Sequence, residues 1–209
     1  MITWPKTGRE VKYPGVAFVI CTMRDADLAV RQQLVERGEL FDGYHPAMEA
    51  IHGANATRLA DIIDRIGYPT VSKVGEEGSA AAWLVIQHAI GHPDFQRRCR
   101  KLLGKAVAEG EANAVDLAYL TDRIAVFEGR AQRYGTQFDW DADGRMSPRP
   151  YDDAEDVDSR RAELGLLPLA EQTERMRETA RREGERPPDN PEQRRKDYDA
   201  WRRRVGWIE

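Results

Sequence analysis

Two cysteines, Cys21 and Cys99, are all that 209 residues contain, and neither stands in a CxxC or Cys/His cluster. That scarcity excludes a disulfide scaffold and a structural zinc of the usual spacing, and it fits a reducing compartment. Long apolar runs are also missing. The longest near the start, Val16 to Cys21, is far short of a membrane span or a signal-peptide core. The expectation is a cytoplasmic protein that makes no use of a membrane. Strand patterning is scarce, no internal repeat is visible, and no Gly/Ser linker divides the first 150 residues. There is no GxGxxG and no P-loop, so no nucleotide-cofactor motif is present. An excess of positive charge is lacking too. With 32 basic against 36 acidic side chains, the formal net charge of −4 argues against a general nucleic-acid binder.

The charge that is present is unevenly spread. Residues 1–150 hold 19 basic and 20 acidic side chains, whereas residues 151–209 hold 13 and 16 in well under half the length. The apolar core therefore belongs mostly to the first part. At 41% hydrophobic and 8% aromatic, the chain can fill a core and is not a disordered one.

Hydrophobic periodicity predicts helices almost throughout. Met1 to Gly15 reads as an irregular arm. Val16, Val19, Ile20, Met23, Asp27, Val30 and Leu34 recur at helical spacing up to Gly38. A second helix over 46–66 carries Met48, Ile51, Asn55, Leu59, Ile62 and Ile66, and Gly67 stops it. Gly75 and Gly78 predict a loop, and Ser79 predicts the cap of a strongly apolar third helix over 80–90. Further helices are expected over about 94–109, 113–128, 153–164 and 169–183, with a last charged piece over 192–209. Asp143-Gly144 predicts a short hairpin within 134–150. The expected fold class is mainly α: a helical bundle or orthogonal helical array, with that hairpin insertion and a charged C-terminal helical extension. The expected organisation is an arm over 1–15, a helical core over 16–168 and the extension over 169–209.

Several polar residues fall where apolar ones belong. Asp27 lies on the stripe of the first helix, with Arg31 one turn later. Asn55 lies on the stripe of the second. Gln87 and His88 sit in the most apolar helix, and Asp122 interrupts the line Val115, Ala118, Ala125 of the fifth, with Arg123 beside it. Buried polar groups are costly unless they bond one another or a ligand. Four helices each turning such a group inward point to a shared polar site. In that reading His88 and Asp122 form the catalytic acid–base pair, with Asp122 or Asp27 fixing the tautomer of His88. Arg31, Arg123, Arg160 and Arg161 would hold an anionic group through their guanidinium forks. Asn55, Gln87, Gln132, Tyr134 and Gln137 would read a polar ligand. Ser79, Thr121 and Thr136 lack the context of a nucleophile. Each residue also has a plain structural use, such as an Asp27–Arg31 pair one turn apart.

Two metal-like patterns are weak. Asp139, Asp141, Asp143 and Gly144 imitate the start of a calcium loop, but the twelfth position would be Pro150, which has no carboxylate. His88 and His92 have helical metal spacing, yet His92 stands between Gly91 and Pro93, where the helix breaks; His45 and His52 could contribute, but no carboxylate completes the pattern. A divalent metal is therefore not favoured, and no residue is assigned as a ligand. The tail carries Arg194-Arg195-Lys196 and Arg202-Arg203-Arg204, but over 187–209 its six basic and five acidic groups nearly cancel. Trp201 and Trp207 are expected to dock on the core, on a second subunit or on another protein.

One ordered series of strings carries a resemblance: Gly67-Tyr68-Pro69-Thr70, Gln87-His88-Ala89, Asp122-Arg123, Gln132-x-Tyr134-Gly135-Thr136-Gln137 and Arg160-Arg161-x-x-Leu164-Gly165-Leu166. With Asp27-x3-Arg31 and Asn55-x3-Leu59, this is similar to a widespread, mainly helical bacterial family of unknown function. Tyr68 stands where tryptophan is usual. The resemblance covers about residues 20–168. It implies domain limits and no particular activity. Two functions therefore stand open: an enzyme-like domain binding a small polar or anionic molecule, and a non-catalytic interaction or immunity-type module whose polar cluster is structural.

Overall fold

The structure is a computed structural model that describes residues 10–39 and 44–209. Most of the arm expected over 1–15 thus lies outside the described residues. The chain divides into two compact units, one up to Ala112 and one from Asn113 to Glu209. The division falls inside the 16–168 segment expected as a single core, and the C-terminal extension belongs with the second unit.

The first unit consists of α1 (Pro14–Arg37), α2 (Pro46–Ile66), α3 (Val71–His88) and α4 (Pro93–Ala108). Proline opens α1, α2 and α4, where its missing N–H costs no hydrogen bond. Residues 12 and 13 are pinned before α1 begins, since the Tyr13 amide donates to Lys73 O at 2.8 Å. Gly67 ends α2 with φ at 73°, and Lys73 Nζ donates to the freed carbonyls of Ile66 and Tyr68. The core is built from Ile20, Leu59, Ala81, Ala82, Ile86, Cys99 and Leu103, all fully buried.

The third helix starts earlier than its sequence indicates. It runs from Val71, broken only at Gly75 (φ 77°, ψ 170°), and Ser79 lies within it rather than capping it. Gly78 is a packing residue, not a loop residue. A Cβ there would come within 3.0 Å of Val74 Cβ and 3.2 Å of Ala17 Cβ. The missing side chain lets α1 and α3 approach closely. Ala17 faces Gly78, and further along the same helices Asp27 faces His88, so α1 and α3 run parallel. Met23 meets Asn55 and Asp27 meets His52, so α2 runs antiparallel to α1.

The second unit holds α5 (Ala114–Phe127), β1 (Phe138–Trp140), β2 (Met146–Pro148), α6 (Val157–Glu163), α7 (Leu169–Glu183) and α8 (Pro191–Val205). Asn113 caps α5 by accepting from the Val115 amide. The strands pair antiparallel, Phe138 with Pro148 and Trp140 with Met146. Their connection is the calcium-like sequence. Asp141 Oδ1 accepts from the amides of Asp143 and Arg145, its Oδ2 accepts from Ser147 Oγ, and Asp139 is paired with Arg149 and Arg194. These carboxylates hold a turn.

α6 is shorter than the helix expected over 153–164, because Asp153 takes a positive φ of 49° and delays its start. α8 stops at Val205. Gly206 turns the chain back with φ at 88°, and Trp207 is buried against Phe127 with ring centroids 4.9 Å apart. Trp201 meets the same ring edge-on at 5.5 Å, and Arg202 Nη1 donates to Phe127 O. The tail's aromatic residues dock within the chain itself. No helix among the described residues is long and apolar enough to cross a membrane. Trp207→Ala is expected to cost about 3 kcal/mol, read as a lower denaturant midpoint.

Candidate functional site

Two polar clusters emerge, one in each unit, and they differ in how completely their atoms are satisfied. The first is built by α1, α2 and α3. Asp27 lies on the buried stripe of α1 and is fully buried. His52 and Asn55 are one turn apart on α2, and both are buried. His88 is the last residue of α3, and its side chain is 27% exposed. His88 Nδ1 hydrogen-bonds Asp27 Oδ2 at 3.0 Å. His52 Nε2 lies 3.1 Å from the same oxygen. That distance suits an ion pair, yet the alignment makes no hydrogen bond, and Asp27 Oδ1 has no hydrogen-bond partner either. The two imidazole rings are tilted by 43°, with centroids 5.0 Å apart.

On its other side His52 is held by Tyr44, whose Oη lies 2.8 Å from Nδ1. Burial pushes the Tyr44 phenol up, so it remains protonated. Asn55 Nδ2 donates to Met23 O at 3.0 Å, tying α2 to α1 one turn before Asp27. Burial alone would push the Asp27 carboxyl up. The close approach of His52 Nε2 and the hydrogen bond and charge of His88 outweigh it and hold the carboxyl far below the usual carboxylate range. A charge that is fully buried is thus kept charged by two histidines from different helices. Asp27, His52 and His88 each offer one ligand atom, and these atoms all lie within 4.8 Å of one another.

The second cluster centres on Asp122 of α5. Its Oδ1 accepts from the amides of Arg133 and Tyr134, and its Oδ2 from the amide and hydroxyl of Thr136. Gln132, fully buried, donates through Nε2 to the carbonyls of Gln137 and Arg149 and accepts from the Gln137 amide. Arg161, 2% exposed, donates to Leu167 O and Tyr134 O. Arg160 donates to Arg133 O and to Asp152, and Arg123 Nε donates to Gln137 Oε1. Burial raises the Asp122 carboxyl, and its backbone donors work against that rise. These bonds clamp the loop over 131–137 onto α5. Gly135 belongs there with φ at 63°, since a Cβ would come within 2.9 Å of Leu169 Cδ1.

The residues singled out from the sequence therefore separate. Asp27, Asn55 and His88 meet in the first unit, and the carboxylate bonded to His88 Nδ1 is that of Asp27. Asp122 spends both oxygens on its own loop. Asp122, Arg123, Gln132, Tyr134, Gln137, Arg160 and Arg161 meet in the second unit. Arg31 is exposed, because Asp27 turns to the histidines instead. Gln87 accepts at its backbone carbonyl from Gln96 Nε2 at 3.3 Å. His52 enters the sequence analysis only as a possible contributor to a metal pattern and not as part of the polar site, and Tyr44 does not enter it. His52 was discoverable, since it stands four residues after Met48 and three before Asn55, on the same stripe. His92 is exposed, and its ring packs against Gly53 instead of joining the cluster.

A family model described as a family of unknown function (DUF6624) matches residues 14–182. The chain belongs to this family. The DUF6624 match takes in Asp27, His52, His88 and the Asp122 loop, and ends inside α7 beyond the limit of 168 set by the motif series. Trp201 and Trp207 lie outside it. Comparison with curated proteins and with solved structures gives no match.

The clamp makes a prediction. Asp122→Asn puts an amide N–H₂ where donors already converge, and is expected to cost about 2–4 kcal/mol in chemical unfolding. A neighbouring acid makes another. Asp116, in the first turn of α5, is pushed by burial up to about 6. A raised carboxyl favours the folded state while protonated, so its contribution is lost as pH rises from about 4 to about 6. Asp116→Asn is expected to raise stability at pH 7 by about 2 kcal/mol and to flatten the stability curve across that window.

Proposed function

We propose that this protein is a small-molecule-binding domain with catalytic capacity, and that its site is the Asp27–His52–His88 cluster. One observation carries the proposal: a fully buried carboxylate shared by two histidines, one of which is partly open to solvent. Burying a charge in this way is weak support for stability, since apolar residues of similar volume usually do as well. Local rules broken together are typical of working sites. The chemistry fits a small polar or anionic ligand. Asp27 fixes His88 through Nδ1, which leaves Nε2 of the partly exposed ring to meet a ligand and to give or take a proton. His52 and Tyr44 brace the carboxylate from the far side. No reacting group in this reading comes from the Asp122 cluster, because both carboxylate oxygens of Asp122 are engaged by the loop over 131–137.

A second reading has an observation of its own. Phe18, Leu28 and Val35 on α1 are 74%, 43% and 36% exposed, which suits a protein-interaction surface. A thermal-shift screen of small carboxylates, phosphates and polar metabolites separates the two. A ligand is expected to raise the melting temperature of the wild type by several degrees at about 100 times its Kd. The shift is expected to disappear in His88→Ala and persist in His92→Ala. Equal shifts in all three proteins, or none in the wild type, would overturn the ligand reading and favour the interaction surface.

A further inference from the structure

We infer that Asp27, His52 and His88 form a binding site for one first-row divalent transition-metal ion. The inference rests on the ligand site assigned above, and it turns the three side chains from proton-transfer groups into ligands.

Although His88 Nδ1 hydrogen-bonds Asp27 Oδ2, the spacing of the three groups also suits donors that share one centre. Asp27 Oδ2 lies 3.1 Å from His52 Nε2 and 3.0 Å from His88 Nδ1. Ligand atoms around an ion at bond lengths near 2.1 Å stand about 3.0–3.4 Å apart along the edges of the coordination shell. The His52 nitrogen and the carboxylate meet that spacing without hydrogen-bond alignment. Two atoms of the set, Asp27 Oδ1 and His52 Nε2, are buried with no hydrogen-bond partner. The Asp27 side chain is 1% exposed and that of His52 8%, and polar atoms buried so deeply are costly to leave unpaired. An ion at the common point would satisfy His52 Nε2, and Asp27 Oδ1 as well where the carboxylate binds through both oxygens.

The surroundings fit as well. Metal-bound histidines characteristically engage a polar group through the second ring nitrogen, which fixes the tautomer. Tyr44 Oη does this for His52 at 2.8 Å from Nδ1. In the tautomer in which Nδ1 donates to the phenol oxygen, Nε2 would turn a lone pair toward the Asp27 carboxylate. Two acceptors would then face each other at 3.1 Å, an arrangement that calls for a cation between them. Two imidazoles and one carboxylate suit zinc, iron(II) or cobalt(II) better than magnesium or calcium, which prefer oxygen. Three protein ligands leave coordination positions open, and one carboxylate leaves a divalent ion with net positive charge. Both features suit an anionic or polar ligand arriving past the partly exposed His88.

The test uses the full-length protein after treatment with chelator. Cobalt(II) is titrated while visible absorption is followed, and zinc(II) by calorimetry. One equivalent per chain is expected to bind, with cobalt bands of a nitrogen- and oxygen-ligated ion. His88→Gln and His52→Ala are each expected to weaken binding at least tenfold, whereas His92→Ala leaves it unchanged. Circular dichroism checks that each variant is folded, and His88→Gln, at a partly exposed helix end, keeps the test usable if His52→Ala does not fold. The absence of saturable one-to-one binding, or equal affinity in folded His88→Gln and wild type, would overturn the inference. The ligand screen repeated in excess chelator separates this inference from the reading it rests on. A ligand shift that survives chelation and is lost in His88→Ala retains the site and overturns the metal. Cobalt binding that is lost in His88→Gln, with no ligand shift in the loaded protein, retains the metal and overturns the small-molecule reading.

Discussion

One carboxylate oxygen holds the first unit's logic together. Asp27 Oδ2 receives His52 from α2 and His88 from the end of α3, so a single buried atom on α1 joins three helices. Those two histidines keep it charged against its burial. Removing either histidine leaves a fully buried anion with less support, and removing Asp27 leaves two imidazoles with no anion between them. Breaking such a set costs far more than never having built it. The Asn55 bond to Met23 O and the Tyr44 contact to His52 are best understood as the means by which α2 is held in register for that meeting.

The two buried aspartates make an instructive contrast. Asp122 has every oxygen occupied by amides and a hydroxyl of one loop, and its network closes on itself through Gln132 and Arg161. Such a network rigidifies a fold and has no capacity left for chemistry. Asp27 is just as deeply buried and has an oxygen without a donor. Burial of a charge therefore marks both places, and the unfilled bonding capacity distinguishes the proposed site from the clamp.

Much of the architecture was legible from the sequence because most helices are amphipathic and carry their own stops. α2 and α7 fall where their proline, glycine and apolar spacing place them. The start of α3 is not legible, because Gly78 looks the same in a sequence whether it breaks a helix or lets another helix pack against it. The polar residues on apolar stripes were also legible, and Asp27, Asn55 and His88 do come together. Their pairing was not. Which carboxylate meets which histidine depends on the register between helices, which side-chain periodicity leaves open. The loop residues around Gln132 and Gln137 read as ligand-binding for a related reason. Their true partners are backbone amides and carbonyls, which every sequence possesses and none displays.

The parallel course of α1 and α3 has a consequence for how the site is tuned. Ala17 against Gly78 and Asp27 against His88 are successive contacts along the same pair of helices, ten residues apart on each. At 1.5 Å per residue the two contacts are separated by about 15 Å. The bare backbone at Gly78 thus acts as a spacer that sets the width of the seam, and the His88–Asp27 distance is read off the same seam farther along. A methyl group at position 78 would act as a shim there, altering the bite of the site without touching any of its atoms. A residue with no functional group is in this sense part of the site's calibration.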